Sequence, residues 1–456
     1  MNTRIWLVGL VALGLSAGLA HPVSGQTDDS REVPMVEQMA RRVAASFLGQ
    51  GDSDTPAPSS GGDGRVEAPE PVNPGDFHPD FLVQVPFTQI QAIFGQYGSQ
   101  LGRVDRLEVT RLRNTELGDF ALFFSQGFKV PMVLGIAAPE DPRITTLWLG
   151  NPAPVASGIQ EIVDDVAALE GNTSLIVTAH PGGEPVTALN AGEVLNIGST
   201  MKLFILSALA DRIHRGQASW EDIVELRPKH RSLPSGFLHT WSEGAPFTLY
   251  SLAGLMISQS DNTATDILLD YLGPEAVEEY AMTHYGVTEA SLPILSTRQL
   301  FQLKADHRAR ERFKAAPTAA QRRQIASQLG GELPDASSIF PGGRPVDVGS
   351  TGYLGTTASL QAVMTDLWLE NEDERVREIL SINPGIALDE QRVARIGYKG
   401  GSEPGAINMT LGVEAKNGRT YIISATWNNP SQGLNESRFV GLIQGLVDVL
   451  SAVESP

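Results

Sequence analysis

Hydrophobic and polar positions near the start of the chain alternate first with the period of a helix and then with that of strands. Segment 36–48 (VEQMARRVAASFL) places apolar residues at helical spacing and predicts a docked helix. A second short helix is predicted over VPFTQIQAIFGQYGSQLG, before the alternating segments VDRLEVTRLR, GDFALFFSQG, FKVPMVLGIA and ITTLWLG. Two helices and an antiparallel meander predict a small α+β domain over residues 32–150, with a helix lying in a curved sheet.

One strand of this domain has a regular apolar stripe. Phe120, Leu122 and Phe124 alternate with other residues and therefore share one face of the strand. We expect this face to line a packed core, and a small ligand pocket is the alternative.

The chain after Asn151 has a different order of elements. GIQEIVDDVAALE predicts a helix, TSLIVTAHPGG and EPVTALNAG predict a hairpin, and the middle of the chain is helical. Strands return as ARIGYKGG, GAINMTLGVEAKNG and RTYIISATWNN, and an apolar-faced helix follows over 437–453. Strands at both ends predict an α/β domain over 151–456: one antiparallel sheet flanked by helices, with an all-helical subdomain inserted.

Two segments are expected to lie outside the packed domains. Residues 1–25 carry one arginine, an apolar run and small residues, which predicts a signal peptide and an exported protein, periplasmic or secreted. An uncleaved anchor is the alternative, but the apolar run is shorter than a spanning helix needs, so no stable membrane insertion is expected once the signal is removed. Residues 51–75 are rich in Pro, Gly, Ser and Asp and predict a flexible insertion.

Composition excludes several classes of function. The 456 residues contain no cysteine, so disulfides and thiolate metal sites are impossible. The formal net charge of −19 disfavours nucleic acids and anionic membranes as partners. The histidines show no zinc-binding spacing, and neither a metal nor another cofactor is expected. The expected partner is a small-molecule substrate, and the oligomeric state is left open.

The stretch IGSTMKLFIL places a lysine inside an apolar helical run. Lys202 follows Ser199 by three residues, so the two side chains would share one helix face. A buried lysine is retained when it is paired or when its lowered pKa is used. Lys202, as a neutral amine, is therefore expected to take the proton of the Ser199 hydroxyl, unless its side chain simply extends its head into water.

Two further motifs follow in the chain. Ser260-Asp261-Asn262 lies in a short loop between two predicted helices, where helix capping is the simpler explanation. Lys399-Gly400-Gly401-Ser402 follows the strand segment ARIGY, where a strand end with a turn is the simpler explanation.

Taken in order, S-x-x-K, S-D-N and K-G-G resemble the motifs of the penicillin-recognising serine hydrolases, and of class A β-lactamases in particular. The resemblance covers about 151–455 and implies a β-lactamase/transpeptidase-like fold. The phrases KGGSEPGAINM and ATWNNP are most similar to the two-domain type that includes clavam-biosynthesis accessory proteins and LpqF-like lipoproteins. That similarity implies a ketosteroid-isomerase-like (cystatin-like) fold for the N-terminal domain, without the lipidation cysteine.

The resemblance also implies roles for the motif residues. Ser199 would be the nucleophile, Lys202 its base and Ser260 the proton relay to the leaving group. Asn262 and Lys399 would bind the substrate, and the backbone N–H groups of Ser199 and Ser402 would form an oxyanion hole. The implied substrate-binding residues are Asn262, Lys399, Gly400, Gly401 and Ser402.

The chain departs from the class A pattern in three places. The region ASLPILSTRQLFQLKAD lacks the E-x-x-L-N pattern that carries the deacylating base in class A enzymes. Glu289, just before this region, is a candidate for that base, with surface solvation as the alternative. Gly400 stands where the third motif usually has a hydroxyl, and Ser402 is expected to compensate. The 139 positions from Ser260 to Lys399 include a charged, helical segment, ADHRARERFKAAPTAAQRRQIASQL. This segment either covers the site, docks the N-terminal domain or is a solvated excursion.

The sequence thus predicts an exported serine hydrolase that forms a slowly hydrolysed acyl-enzyme at Ser199 with β-lactams or related esters and amides. A D-alanyl-D-alanine peptidase or an esterase is the alternative enzyme. A non-catalytic protein that binds cell-wall or β-lactam-like ligands is the alternative from another class. His239, in SGFLHTW, either lines the cleft or is an ordinary surface histidine.

Overall fold

A computed structural model describes residues 33–47, 69–156 and 158–452. The predicted signal peptide (1–25) lies outside these residues, as does most of the predicted flexible insertion (51–75). Within the described ranges, no helix combines the length and the apolar character needed to cross a bilayer.

The N-terminal part consists of helices packed against an antiparallel sheet. Its elements are helices Met35–Ala44 (α1), Pro79–Gln84 (α2) and Phe87–Leu101 (α3), and strands Val104–Leu112 (β1), Leu117–Phe124 (β2), Phe128–Ala138 (β3) and Asp141–Leu149 (β4). The four strands pair in chain order, and the short strand Ala153–Pro154 (β5) pairs with β3. The predicted helices and meander are confirmed, whereas α2 was not predicted.

The apolar stripe of β2 lies in the core of this part. Phe120, Leu122 and Phe124 are buried, and the ring of Phe47 meets that of Phe124 edge-on at 5.4 Å. The packed-core interpretation is confirmed, because these side chains are buried among apolar neighbours from α1, α3 and the other strands. The ketosteroid-isomerase-like fold and the boundaries 32–150 and 151–456 stay predictions.

The C-terminal part is built on a second antiparallel sheet. Its strands are Asn172–His180 (β6), Pro185–Leu189 (β7), Leu195–Asn196 (β8), Ile223–Glu225 (β9), Pro246–Thr248 (β10), Leu354–Gly355 (β11), Val393–Glu403 (β12), Ala406–Ala415 (β13) and Thr420–Asn428 (β14). The main sheet has the order β12-β13-β14-β6-β7, while β8 pairs with β11 and β9 with β10. Strands from both ends of this part therefore share one sheet, as predicted.

Helices cover both faces of this sheet. They are Ile159–Ala167 (α4), Lys202–His214 (α5), Leu249–Ser258 (α6), Asn262–Leu272 (α7), Pro274–Tyr285 (α8), Thr297–Ala305 (α9), His307–Ala315 (α10), Ala319–Ser327 (α11), Ala336–Ile339 (α12), Thr357–Thr365 (α13), Glu374–Ser381 (α14) and Glu436–Ala452 (α15). One apolar cluster joins α4 and α15 to the sheet, and a larger one fills the helical middle. The central strands β13 and β14 are buried on both faces. The polar side chains on one of these faces, Asn408, Thr410, Ser424 and Thr426, are hydrogen-bonded to one another.

Two glycines shape the contact between sheet and helices. Gly397 and Gly412 are paired across β12 and β13, and a Cβ at either position would lie 2.3 Å or 2.6 Å from the Trp368 ring. The absence of side chains lets the buried indole lie against the backbone. This contact positions the edge strand β12, which carries the third motif.

Candidate active site

Ser199 and Lys202 lie where a tight turn becomes a helix. Ser199 is in the 3-10 turn Gly198–Met201, and Lys202 is the first residue of α5. The side chain of Ser199 is partly exposed, and among the described residues it makes no hydrogen bond. Lys202 is 0% exposed, so the alternative in which its head reaches water is wrong.

The buried ammonium of Lys202 is directed at the second motif. Its Nζ donates to the carbonyl oxygen of Ser260 at 2.6 Å, to the Ser260 hydroxyl at 3.1 Å and to Oδ1 of Asn262 at 2.9 Å. Burial and the nearby charge of Lys399 hold the pKa of Lys202 well below its usual range. A lowered pKa makes the neutral amine, which is the form that a general base requires, more accessible.

The Ser260–Asn262 loop caps helix α7 and also directs polar side chains at Lys202. Asp261 caps α7 by accepting from the backbone N–H of Ala264 at 2.9 Å, and it also accepts from Phe237 and Leu238. Ser260 has a φ of 52°, a left-handed conformation that is unusual for a serine. The capping interpretation therefore holds for Asp261, whereas Ser260 and Asn262 are turned towards Lys202.

Lys399 brings a second cation to the same hydroxyl. It lies on the edge strand β12, and its Nζ is 3.1 Å from the Ser260 hydroxyl oxygen and also donates to the carbonyl of Gly400. Burial lowers the pKa of Lys399 to about 7. The Ser260 hydroxyl therefore lies between two lysine nitrogens, a position suited to relaying a proton.

Glycines bring the turn of Ser199 against the edge strand. A Cβ at Gly401 would lie 2.3 Å from the backbone nitrogen of Ser199, and one at Gly198 would lie 3.1 Å from that of Ser402. Gly198 also has a φ of 52°, which favours glycine. Only residues without side chains permit this approach, and it places the two predicted oxyanion-hole donors on adjoining backbone segments.

The glycine at position 400 has its own structural explanation. A Cβ there would lie 1.9 Å from the hydroxyl oxygen of Tyr398 and 3.2 Å from the carbonyl of Asn408. The space that a side chain would need is thus occupied by a phenol, which the sequence did not indicate. Burial raises the pKa of Tyr398 to about 12, so this hydroxyl is neutral and able to donate.

Asp266 is a site residue that the sequence analysis missed. It lies one turn after Asn262 on α7, is buried, and accepts from the backbone N–H groups of Thr297 at 2.6 Å and Arg298 at 3.0 Å. Burial raises its pKa to about 7, and its charge in turn favours protonated Lys202. An acidic residue inside the apolar run TATDILLDYL was the available signal.

The structure does not bring Glu289 to this group. Its exposed carboxylate accepts from the backbone N–H of Ala319 at 3.1 Å, at the start of α11. The region 290–306 instead approaches the site through Thr297, whose hydroxyl donates to the Ser232 hydroxyl at 2.7 Å. His239 is partly buried, and its backbone carbonyl accepts from Arg231.

The described part of the chain does not group metal-binding side chains at this site. Across the described ranges, no three or more acidic or histidine side chains are grouped so that they could hold an ion.

One family model and several solved structures are similar to part of this chain. Residues 154–329 match the Beta-lactamase enzyme family. Solved structures similar to the chain include a β-lactamase from Sphaerobacter thermophilus (21% identity, 66% of this chain and 98% of that one, TM-score 0.47). Others are a β-lactamase from Chitinophaga pinensis (17%, 64% and 97%, TM-score 0.47) and a mutant of PBP-A in an acyl-enzyme complex with penicillin G (15%, 64% and 94%, TM-score 0.46). A comparison with curated proteins gave no match.

The family match agrees with the architecture described above. It supports a β-lactamase-like α/β fold for the C-terminal part and implies a serine hydrolase with a small-molecule substrate. It ends at residue 329, before β12, so the arrangement of the third motif rests on the geometry of this chain alone.

Proposed function

We propose that this protein is an exported serine hydrolase that forms an acyl-enzyme at Ser199 with β-lactams or related esters and amides. The observation that carries the proposal is the convergence of Lys202 and Lys399 on the Ser260 hydroxyl, each at 3.1 Å. Two buried ammonium groups around one hydroxyl are unfavourable for stability alone, because they repel each other and lose hydration. Such an arrangement is useful where one lysine must be neutral.

The acylation step follows from the positions of these groups. Lys202 takes the proton of the Ser199 hydroxyl as its oxygen attacks the substrate carbonyl. The backbone N–H groups of Ser199 and Ser402 stabilise the oxyanion, a contribution of about 10²–10³ in rate for each donor. Ser260 passes the proton to the leaving nitrogen or oxygen, and Lys399 attracts a substrate carboxylate.

We propose that deacylation is slow. The carboxylates near Lys202 are occupied: Asp261 caps α7, and Asp266 accepts from two backbone N–H groups. Glu289 is engaged at the start of α11. Without a dedicated base, water attack loses about 10²–10⁴ in rate.

The test is intact-mass spectrometry after exposure to benzylpenicillin, with Ser199→Ala as the control. We expect a stable adduct of one penicillin per parent chain and none on the variant. Parallel assays with a chromogenic β-lactam, an acetyl ester and a D-alanyl-D-alanine peptide separate a β-lactamase from a peptidase or esterase. Binding of penicillin without any covalent adduct would instead indicate a non-catalytic binding protein.

A further inference from the structure

A buried ion pair lies directly behind the proposed oxyanion hole. Glu403 immediately follows Ser402 on β12, and its carboxylate accepts from Nζ of Lys304 at 2.8 Å. The side chain of Lys304 is 0% exposed and that of Glu403 is 13% exposed. Neither residue touches the groups assigned to acylation, so the proposed mechanism does not explain why two charges are kept in this place.

The same carboxylate is also bonded to the turn that carries Ser199. Nδ2 of Asn196 donates to Glu403 at 2.6 Å, and Oδ1 of Asn196 accepts from the backbone N–H of Gly198 at 3.0 Å. The backbone of Asn196 is fixed in turn by Asn428, through bonds of 2.8 Å and 2.9 Å. Through Asn196, the Glu403 carboxylate beside Ser402 is thus linked to Gly198, the residue before Ser199.

Lys304 supplies the charge that makes this link possible. A carboxylate withdrawn from water needs a partner, and removing one member of a buried pair is far more damaging than replacing both. Lys304 also donates to the carbonyl of Val346 at 3.2 Å, and its ammonium lies 5.4 Å from the centre of the Phe340 ring. Lys304, Phe340 and Val346 all belong to the long stretch between the second and third motifs, so part of that stretch supports the site.

We propose that Lys304, Glu403 and Asn196 form a positioning brace that sets the distance between the backbone N–H groups of Ser199 and Ser402. The brace lies behind the oxyanion hole and does not contact the substrate. This inference rests on the proposed function, since it concerns the oxyanion of the acylation step. It assigns Lys304 and Glu403 a role in the rate of acylation and none in substrate binding.

The central test compares Lys304→Met with the parent by the kinetics of acylation and by infrared spectroscopy of the benzylpenicillin acyl-enzyme. We expect the maximal acylation rate to fall about tenfold to a hundredfold, because a displaced oxyanion donor loses part of the effect of a missing one. KM should change less than about twofold. The acyl carbonyl stretch should move to higher wavenumber, because its hydrogen bonds weaken.

Two variants separate positioning from loss of stability. The double variant Lys304→Met/Glu403→Gln removes both charges, and we expect acylation to return to within about threefold of the parent. Lys129→Met is the matched control: Lys129 forms a largely buried pair with Asp448 at 2.7 Å, far from this group in sequence and on other elements. It should lower the melting temperature without changing the carbonyl stretch.

Asn196→Ala keeps the Lys304–Glu403 ion pair but removes the side chain that connects Glu403 to Gly198. This variant therefore tests the brace if Lys304→Met does not fold. An unchanged acylation rate and carbonyl stretch in Asn196→Ala, or in folded Lys304→Met, would overturn the brace. If the parent protein is not acylated, the proposed function is wrong. If the parent is acylated and the variants react equally fast, only the brace is wrong.

Discussion

Replacement of Lys399 by glutamine tests whether one lysine sets the protonation of the other. Lys202 must be neutral to act as a base, and the neighbouring charge of Lys399 disfavours its protonated form. Lys399→Gln removes that charge and keeps a polar side chain of similar length. The pKa of Lys202 should rise, so the acid limb of the pH profile for acylation should move to higher pH.

The size of the effect can be derived from the geometry. Both nitrogens are 3.1 Å from the same hydroxyl oxygen, so they are at most about 6 Å apart. At that distance and an effective dielectric constant of about 20, two unit charges repel by about 3 kcal/mol, equivalent to about two pH units. The effect should be largest below pH about 7, where Lys399 is itself protonated.

The assay is the single-turnover rate of acylation by a nitrophenyl acetate ester, measured against pH. This ester lacks a carboxylate, so any loss of substrate attraction by Lys399 does not enter the result. Lys416→Gln makes the same chemical change at an exposed lysine and should leave the profile unchanged. An acid limb that stays in place in Lys399→Gln, or that moves to lower pH, would refute the reasoning.

Four other predictions concern the site. Ser199→Ala and Lys202→Ala should each abolish adduct formation in the mass spectrometer, because the pair acts as one unit; a Lys202→Ala rate within about tenfold of the parent would remove Lys202 as the base. Stopped-flow with a chromogenic β-lactam should show a burst of one equivalent and then a slow phase, whereas steady hydrolysis without a burst would mean that a deacylating base exists. Gly401→Ala, with a Cβ 2.3 Å from the Ser199 nitrogen, should lower acylation about a hundredfold, while Gly433→Ala, with open space around it, should not. The pKa of Asp266 is raised from 3.8 to about 7, so this group's stabilising contribution should be lost as pH rises through that interval; a melting-temperature difference between parent and Asp266→Asn that is constant with pH would contradict this.

Local patterns in the sequence were sufficient for most elements and for the three motifs. The spacing of Ser199 and Lys202 requires only the geometry of one helical turn, and the order of strands and helices follows from their periodicity. The capping by Asp261 was likewise anticipated, since loops between helices are local features. The strand end expected at Lys399 was wrong, because β12 continues to Glu403. The confirmed predictions are those that neighbours in sequence determine.

The tertiary structure decided which distant residues meet these motifs. The Asp266 carboxylate is engaged by a helix that begins 31 positions later. The pairing of Lys304 with Glu403 joins residues 99 positions apart. A lysine in the apolar run LFQLKAD signals burial, but its partner depends on packing between segments that no local pattern relates. The sequence therefore determined which groups could do chemistry, and only the packed chain determined the charges and backbone contacts that surround them.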